Sequence, residues 1–324
     1  MACKGTDIDP EKLSTKAIRQ FYFNSLESLR IEMVDIMDEE RRSSRDFFFA
    51  KSGENSLDCY SEKYFAAAKD TLKLSVYDRF LHIYDEYISP VLGNLDCRRL
   101  TLSRIERLGD KINKLPIRTQ ANVMRVLRLI LEFARENGGN IRVADRYFET
   151  VGGMRILADD ELDRLTSLLR QSENPLDKGI YLCLNTGIGI DELCKLKCED
   201  FDFSGGVLTV GGANDRKIYL PKFLTNEMES VYGNLSSETL IVSATTDGSV
   251  EAENRFLDIC EQCGIENADF SVLRDTFGAM CAESRMNAAA MSEIMGVSAD
   301  ECRRYFPENL EGNRSPLEFL REAY

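Results

Sequence analysis

Apolar residues recur at helical spacing through most of the stretch from Leu72 to Phe133. Segments at 72–86, 101–114 and 118–137 place them three and four residues apart, the period of one helix face. The third carries Val123, Val126, Leu127, Leu129, Ile130 and Phe133. Gly138-Gly139 follows it, and a residue without a Cβ suits the left-handed turn that ends a helix. Residues 61–150 are therefore expected to be all-helical. Upstream, Tyr22, Leu26, Leu29, Met33 and Ile36 set a similar stripe within 14–40. It lasts about two heptads, short of a coiled coil. Packing on its own domain and pairing with a partner helix both fit it.

After Gly152-Gly153 the pattern changes. Asp159 or Asp160 is a candidate cap for a helix to Arg170. Asn174-Pro175 reads as a cap followed by proline at the first helical position, opening a helix to Leu184. A short helix is expected over 191–198. Three strand candidates follow: Val207–Val210, Lys217–Leu220 and Thr239–Val242. The first two flank Gly211-Gly212-Ala213-Asn214-Asp215, a hairpin turn. Helices resume at 249–263, 271–284, 287–295 and 298–306. Ser315-Pro316-Leu317-Glu318 has the form of a capping box opening a last helix. The fold class expected is mainly α with a small antiparallel sheet, α+β. The expected domains are a helical extension over 1–60, a helical domain over 61–150 and an α+β domain over 154–324.

Charge divides the same way. The chain has 41 Lys+Arg against 55 Asp+Glu, a net charge of −14. Taken whole, this opposes a polyanionic partner. Residues 61–150, however, hold 16 basic and 12 acidic side chains, whereas 151–324 hold 16 and 31. No acidic residue occurs between Lys111 and Ile130. Arg118, Arg125, Arg128, Lys111 and Lys114, with Arg135 and Arg98-Arg99 nearby, are candidate contacts for a phosphate backbone. The plainer reading is a solvated helix face.

No membrane partner is expected, since no apolar run nears the ~18 residues of a spanning helix. The polar start suggests no signal peptide, and the ten cysteines then read as reduced thiols in the cytoplasm. Cys260 and Cys263, with Cys194 and Cys198, have the spacing of a four-thiolate zinc site. Each pair also fits the apolar side of a helix, the reading preferred here. No metal or cofactor is expected. His82 is the only histidine, so residues 151–324 contain no imidazole.

Several motifs together resemble the tyrosine recombinases, or phage integrases. Thr186-Gly187-Ile188-Gly189-Ile190-Asp191-Glu192-Leu193, then Leu196 and Asp200-Phe201-Asp202, is similar to that family's first box, T-G-x-R-x-x-E-L. Ser271-Val272-Leu273-Arg274-Asp275-Thr276-Phe277 is similar to the second, H-x-L-R-H-T-F. Ile294-Met295-Gly296-Val297-Ser298 resembles the L-G-H-S that follows, with Tyr305 downstream. Ile88 to Gly93, Leu100-Thr101 and Thr119 to Ala134 look like the family's helical core-binding domain.

The resemblance implies DNA integration and recombination, as on mobile genetic elements, by transesterification. A Tyr oxygen attacks a phosphodiester while arginines, a lysine and histidines stabilise the charged transition state and move protons. Such chemistry needs an activated phenol, preorganised cations and a general acid. Matched to those boxes, Arg274 takes a phosphate-binding position and Tyr305 is the candidate nucleophile, although gapless spacing puts Phe306 there. Gly189 replaces an arginine, Ser271 and Asp275 replace histidine-type positions, and Val297 replaces a later His or Trp. The family's hairpin lysine falls near Gly212, with Lys217 several residues late. A DNA-binding pseudoenzyme is the leading expectation. An active recombinase using Arg274 and Tyr305, and an acidic protein-interaction module, are the alternatives. The C-terminal helix with Leu317, Leu320 and Tyr324 offers contact with a recombinase or a second copy, or packs in cis.

Overall fold

The computed structural model describes residues 53–139, 141, 153–211, 215–242 and 248–307. The expected helices over 14–40 and from Ser315, most of the hairpin turn, and Gly212 lie outside them. The described residues from Asn55 onward form one compact unit.

Its first part is helical. The helices are α1 (Leu57–Ala68), α2 (Leu74–Ile83), α3 (Leu102–Ile112) and α4 (Ile117–Glu136). A π-helical stretch, Tyr84–Gly93, continues α2 and contains Pro90. Proline has no N–H to give a helical ladder, and wider turns accommodate the gap. Ser56 caps α1 by accepting from the Cys59 N–H. Around the core, Phe65 meets Tyr77 and Tyr84 edge-on at 6.0 Å each. Such pairs add roughly 0.5–1.5 kcal/mol beyond area burial. α4 buries Val123, Val126, Leu127 and Ile130, ends at Glu136, and is followed by Gly138 at φ +87°.

The second part opens with α5 (Asp159–Gln171) and α6 (Pro175–Thr186). The cap of α5 differs from expectation. Ala158 occupies that position, and Glu161 accepts its N–H at 3.0 Å, so the acidic residues fill the first turn. Asn174 caps α6 as expected, accepting from Leu176 N–H with Pro175 first. α7 (Ile190–Leu193) is shorter than the expected helix over 191–198 and yields to a 3-10 turn, Cys198–Asp200.

The sheet is antiparallel, with β1 (Phe201–Asp202), β2 (Val207–Val210) and β3 (Arg216–Tyr219) in that order. β2 and β3 pair with Val207 opposite Tyr219 and Val210 opposite Arg216. Thr239–Val242 is not a strand of it. Leu240 makes a single bridge to Lys197, so β1 takes the third place. The apolar Leu-Ile-Val run is explained by burial, with Ile241 and Val242 in the core.

Helices α8 (Lys222–Tyr232), α9 (Gly248–Cys263), α10 (Ser271–Glu283), α11 (Ala288–Met295) and α12 (Ala299–Cys302) complete the unit. α8 was not anticipated. The expected helix over 298–306 is α12 followed by a 3-10 turn, Arg303–Tyr305. α10 lies at the centre, packing on α4, α6 and α11. Ile117 and Ala121 of α4 join the second part's core. Cys183, Cys198, Cys260 and Cys263 lie in that core, and burial pushes the Cys260 thiol up to about 12. No three His, Cys, Asp or Glu converge as metal ligands among the described residues.

Candidate active site and phosphate-contact surface

Consecutive helical residues leave the axis about 100° apart, so Arg274 and Asp275 of α10 serve different neighbourhoods. Arg274 donates from Nε to the Gly187 carbonyl at 2.7 Å and from Nη2 to the Met295 carbonyl at 3.0 Å. Gly187 and Gly296 are both left-handed, at φ +68°, and end α6 and α11. Arg274 therefore stands where two helices present carbonyls without helical partners, favourable ground for a cation. Its Nη2 also reaches Glu192 Oε2 at 3.2 Å.

Glu192 is the hub. Its Oε2 accepts the Gly189 N–H at 2.9 Å. Arg216, arriving from β3, donates Nη1 to Oε1 at 2.5 Å and Nη2 to Oε2 at 3.0 Å. Burial alone would raise the carboxyl's pKa. The Arg216 fork, the Gly189 N–H and Arg274 overcome this and hold it below the ordinary value. Gly189 brings its backbone close to the guanidinium, since a Cβ would sit in contact 3.4 Å from Arg274 Nη2.

Tyr305 lies on the Asp275 side. Its ring is buried, and its hydroxyl donates to Asp275 Oδ1 at 2.7 Å. Arg304 Nη2 donates to the hydroxyl at 2.7 Å, bonds Asp275 as well, and stacks 4.9 Å from the ring centre. Gly278 permits this packing, because a Cβ there would lie 2.5 Å from the ring. Burial raises the phenol's pKa, and Asp275 adds to the rise against the opposing pull of Arg304. Among the described residues, Arg274 and Tyr305 share no hydrogen-bonding partner. Ser271 is exposed and donates to Asp269 at 2.5 Å, and the Val297 carbonyl accepts from Ser292 at 2.7 Å.

The three arginines singled out on α4 do not form an open face. Arg118 pairs with Asp159 at 2.6 Å and Glu283 at 2.8 Å. Arg125 pairs with Asp160 at 2.9 Å, and Arg128 with Glu132 and Glu266 at 2.6 Å each. Their side chains are only 11–15% exposed. The stretch from Lys111 to Ile130 is free of acid; apart from Glu132, one turn along α4 from Arg128, the carboxylates come from α5, α10 and the segment before α10. Lys111 and Lys114 are exposed. Arg104, half-exposed, and Arg107, exposed, lie on α3 with Lys111, and Lys114 follows in the turn after it, at 3-4-3 spacing beside the buried Ile105, Leu108 and Ile112. No ion pair engages Arg104, Arg107, Lys111 or Lys114 among the described residues. Their spacing was legible; nothing in the sequence indicated Arg216.

The sequence profile of the phage integrase family matches residues 155–308, which contain Glu192, Arg216, Arg274 and Tyr305. Residues 155–308 are a phage integrase family domain. The chain is 26% identical over 154 residues to the tyrosine recombinase XerA of Thermococcus kodakarensis, covering 44% of this chain and 54% of that protein. A second XerA, from Pyrococcus furiosus, is 32% identical over 77 residues, 23% of this chain and 27% of its own. The chain thus spans about half the length, or less, of these curated relatives. A crystal structure of XerA recombinase aligns over 82% of this chain and 97% of its own, at 20% identity and a TM-score of 0.42. The Tn1549 transposon integrase in complex with circular intermediate DNA aligns over 82% and 98%, at 17% identity and a TM-score of 0.42. Among the described residues of this chain, no helix is long and apolar enough to cross a membrane.

Proposed function

We propose that this chain binds DNA in recombination and is disarmed for strand cleavage. The observation that carries the reading is Tyr305. A nucleophilic phenol must reach a phosphorus atom and lose its proton. Here the ring is buried, the hydroxyl already serves Asp275, and its pKa is raised rather than lowered. Asp275 also brings a carboxylate where the family resemblance implies a proton-handling histidine, and a negative charge there repels a phosphodiester. Removing one transition-state donor typically costs about 10²–10³ in rate. Gly189, Ser271 and Val297 remove further ones.

DNA contact is supported by α3. Exposed Arg107, Lys111 and Lys114, with half-exposed Arg104, offer cations that can follow a phosphate backbone without base-specific contact, with Glu106 and Asp110 exposed beside them. DNA is the partner proposed, with action in the cytoplasm and no cofactor. A nicked suicide duplex should trap no covalent protein–DNA adduct. An adduct that disappears in Tyr305→Phe would overturn this and establish an active recombinase using Tyr305.

A further inference from the structure

Two guanidinium groups share one carboxylate in unequal ways. Arg216 takes both oxygens of Glu192 in a fork, at 2.5 and 3.0 Å, whereas Arg274 touches one at 3.2 Å. Forked guanidinium–carboxylate bonding is the stronger geometry. Glu192 cannot neutralise both arginines, and its fork commits it to Arg216; exposed Glu301 also acts on Arg274, without a hydrogen bond between them among the described residues. The Arg274 Nη1 takes no acceptor among the described residues. It lies 3.7 Å from where a Cβ on Gly189 would be, so any side chain there would rest against this edge and glycine leaves it uncovered from that side. Arg274 is also the more accessible, at 27% exposure against 16% for Arg216.

We propose that Arg216 is a positioning residue for a phosphate-binding edge of Arg274. By neutralising Glu192, it keeps the charge and the Nη1 of Arg274 free for a phosphate oxygen entering beside Gly189. This deepens the reading of the chain as a DNA-binding protein and rests on it. Without Arg216, Glu192 turns its second oxygen to Arg274 and closes the anion site from within. The Arg216 bond to the Ile294 carbonyl, 3.0 Å, fixes the fork in place.

The test uses inorganic phosphate, titrated at constant ionic strength into the full chain. The readout is the side-chain Nε–H resonance of Arg274, assigned by its loss in Arg274→Lys. The native chain should show a saturable shift. Arg216→Gln should weaken phosphate binding by roughly ten-fold. Adding Glu192→Gln to that variant should restore it, because the competing carboxylate is gone. A merely structural brace from β3 to α11 predicts no restoration. Should Arg216→Gln fail to fold, Glu192→Gln alone decides the matter, and tighter phosphate binding than native is expected. No shift in the native chain, or no gain on removing Glu192, overturns the proposal. DNA binding that persists without a phosphate shift overturns this inference alone. A phosphate shift without DNA binding overturns the DNA reading alone.

Discussion

The Tyr305 hydroxyl donates a 2.7 Å hydrogen bond to Asp275, thirty residues earlier on α10. Both groups are buried, and the pair ties the 3-10 turn after α12 to the central helix. Tyr305→Phe leaves a buried carboxylate without one of its donors. The expected cost is about 1–3 kcal/mol, read as a lower midpoint in urea unfolding. Unchanged stability would mean that the hydroxyl contributes nothing to the fold.

Gly278→Ala probes the same contact from the other side. Its methyl group would lie 2.5 Å from the Tyr305 ring, so the ring or α10 must move. Overpacking of this kind costs about 1–3 kcal/mol. The melting temperature should fall, and near-ultraviolet dichroism of the tyrosines should change.

The α3 and α4 cations should separate cleanly in experiment. Arg107→Glu with Lys111→Glu should lower DNA affinity and flatten its salt dependence, since each lost phosphate contact removes roughly one unit of slope. Stability should stay within about 0.5 kcal/mol of native. Arg118→Ala should do the reverse, because it takes one of two arginines from Asp159 and Glu283 and leaves both carboxylates to Arg79. A loss of about 1–3 kcal/mol is expected, with the salt slope retained. Filter binding over a salt series, paired with urea melts, measures both. Equal DNA retention with and without the α3 charges would refute the proposed surface.

Acid should loosen the α4 seam. Burial acts to raise the pKa of Asp160 and Glu283. Arg125 and Arg164 on the first, and Arg118 and Arg79 on the second, overcome it and leave both lowered. A depressed folded-state pKa gives stability that is present above the ordinary values, 3.8 and 4.5, and lost as pH falls through the folded ones. Melting temperature should hold level from pH 7 to about 5 and drop below that. In Arg118→Ala with Arg125→Ala, that acid-dependent share should shrink. Tyr305 works in the other direction. Its raised pKa gives stability present below 10 and lost as pH rises through the folded value.

Most helices were legible because each buries one face, and burial leaves a period. α8 lacked a polar cap to announce it, as Pro221 holds the position before Lys222. Thr239–Val242 misled because an apolar run bounded by polar residues fits a strand and a buried bridge alike. The family boxes were legible as strings, and Arg274 sits where they imply an engaged arginine. Whether Tyr305 could act was not legible, since its burial depends on Asp275, Gly278 and Arg304 meeting in space.

The sequence by itself determined the α+β class, the hairpin between β2 and β3, the likeness to the integrase boxes and the charge contrast between the two parts. These are local properties of pattern, turn chemistry and composition. Only the tertiary structure decided which cations remain available. Arg118, Arg125 and Arg128 stand in an acid-free stretch, yet distant carboxylates reach them. Arg107 and Lys111 stay open because α3 turns them to water, and Lys114 because it lies in the exposed turn that follows. An ion pair forms between groups the fold brings within about 4 Å, whatever their separation in the chain, and for Arg118 and Glu283 that separation is 165 residues.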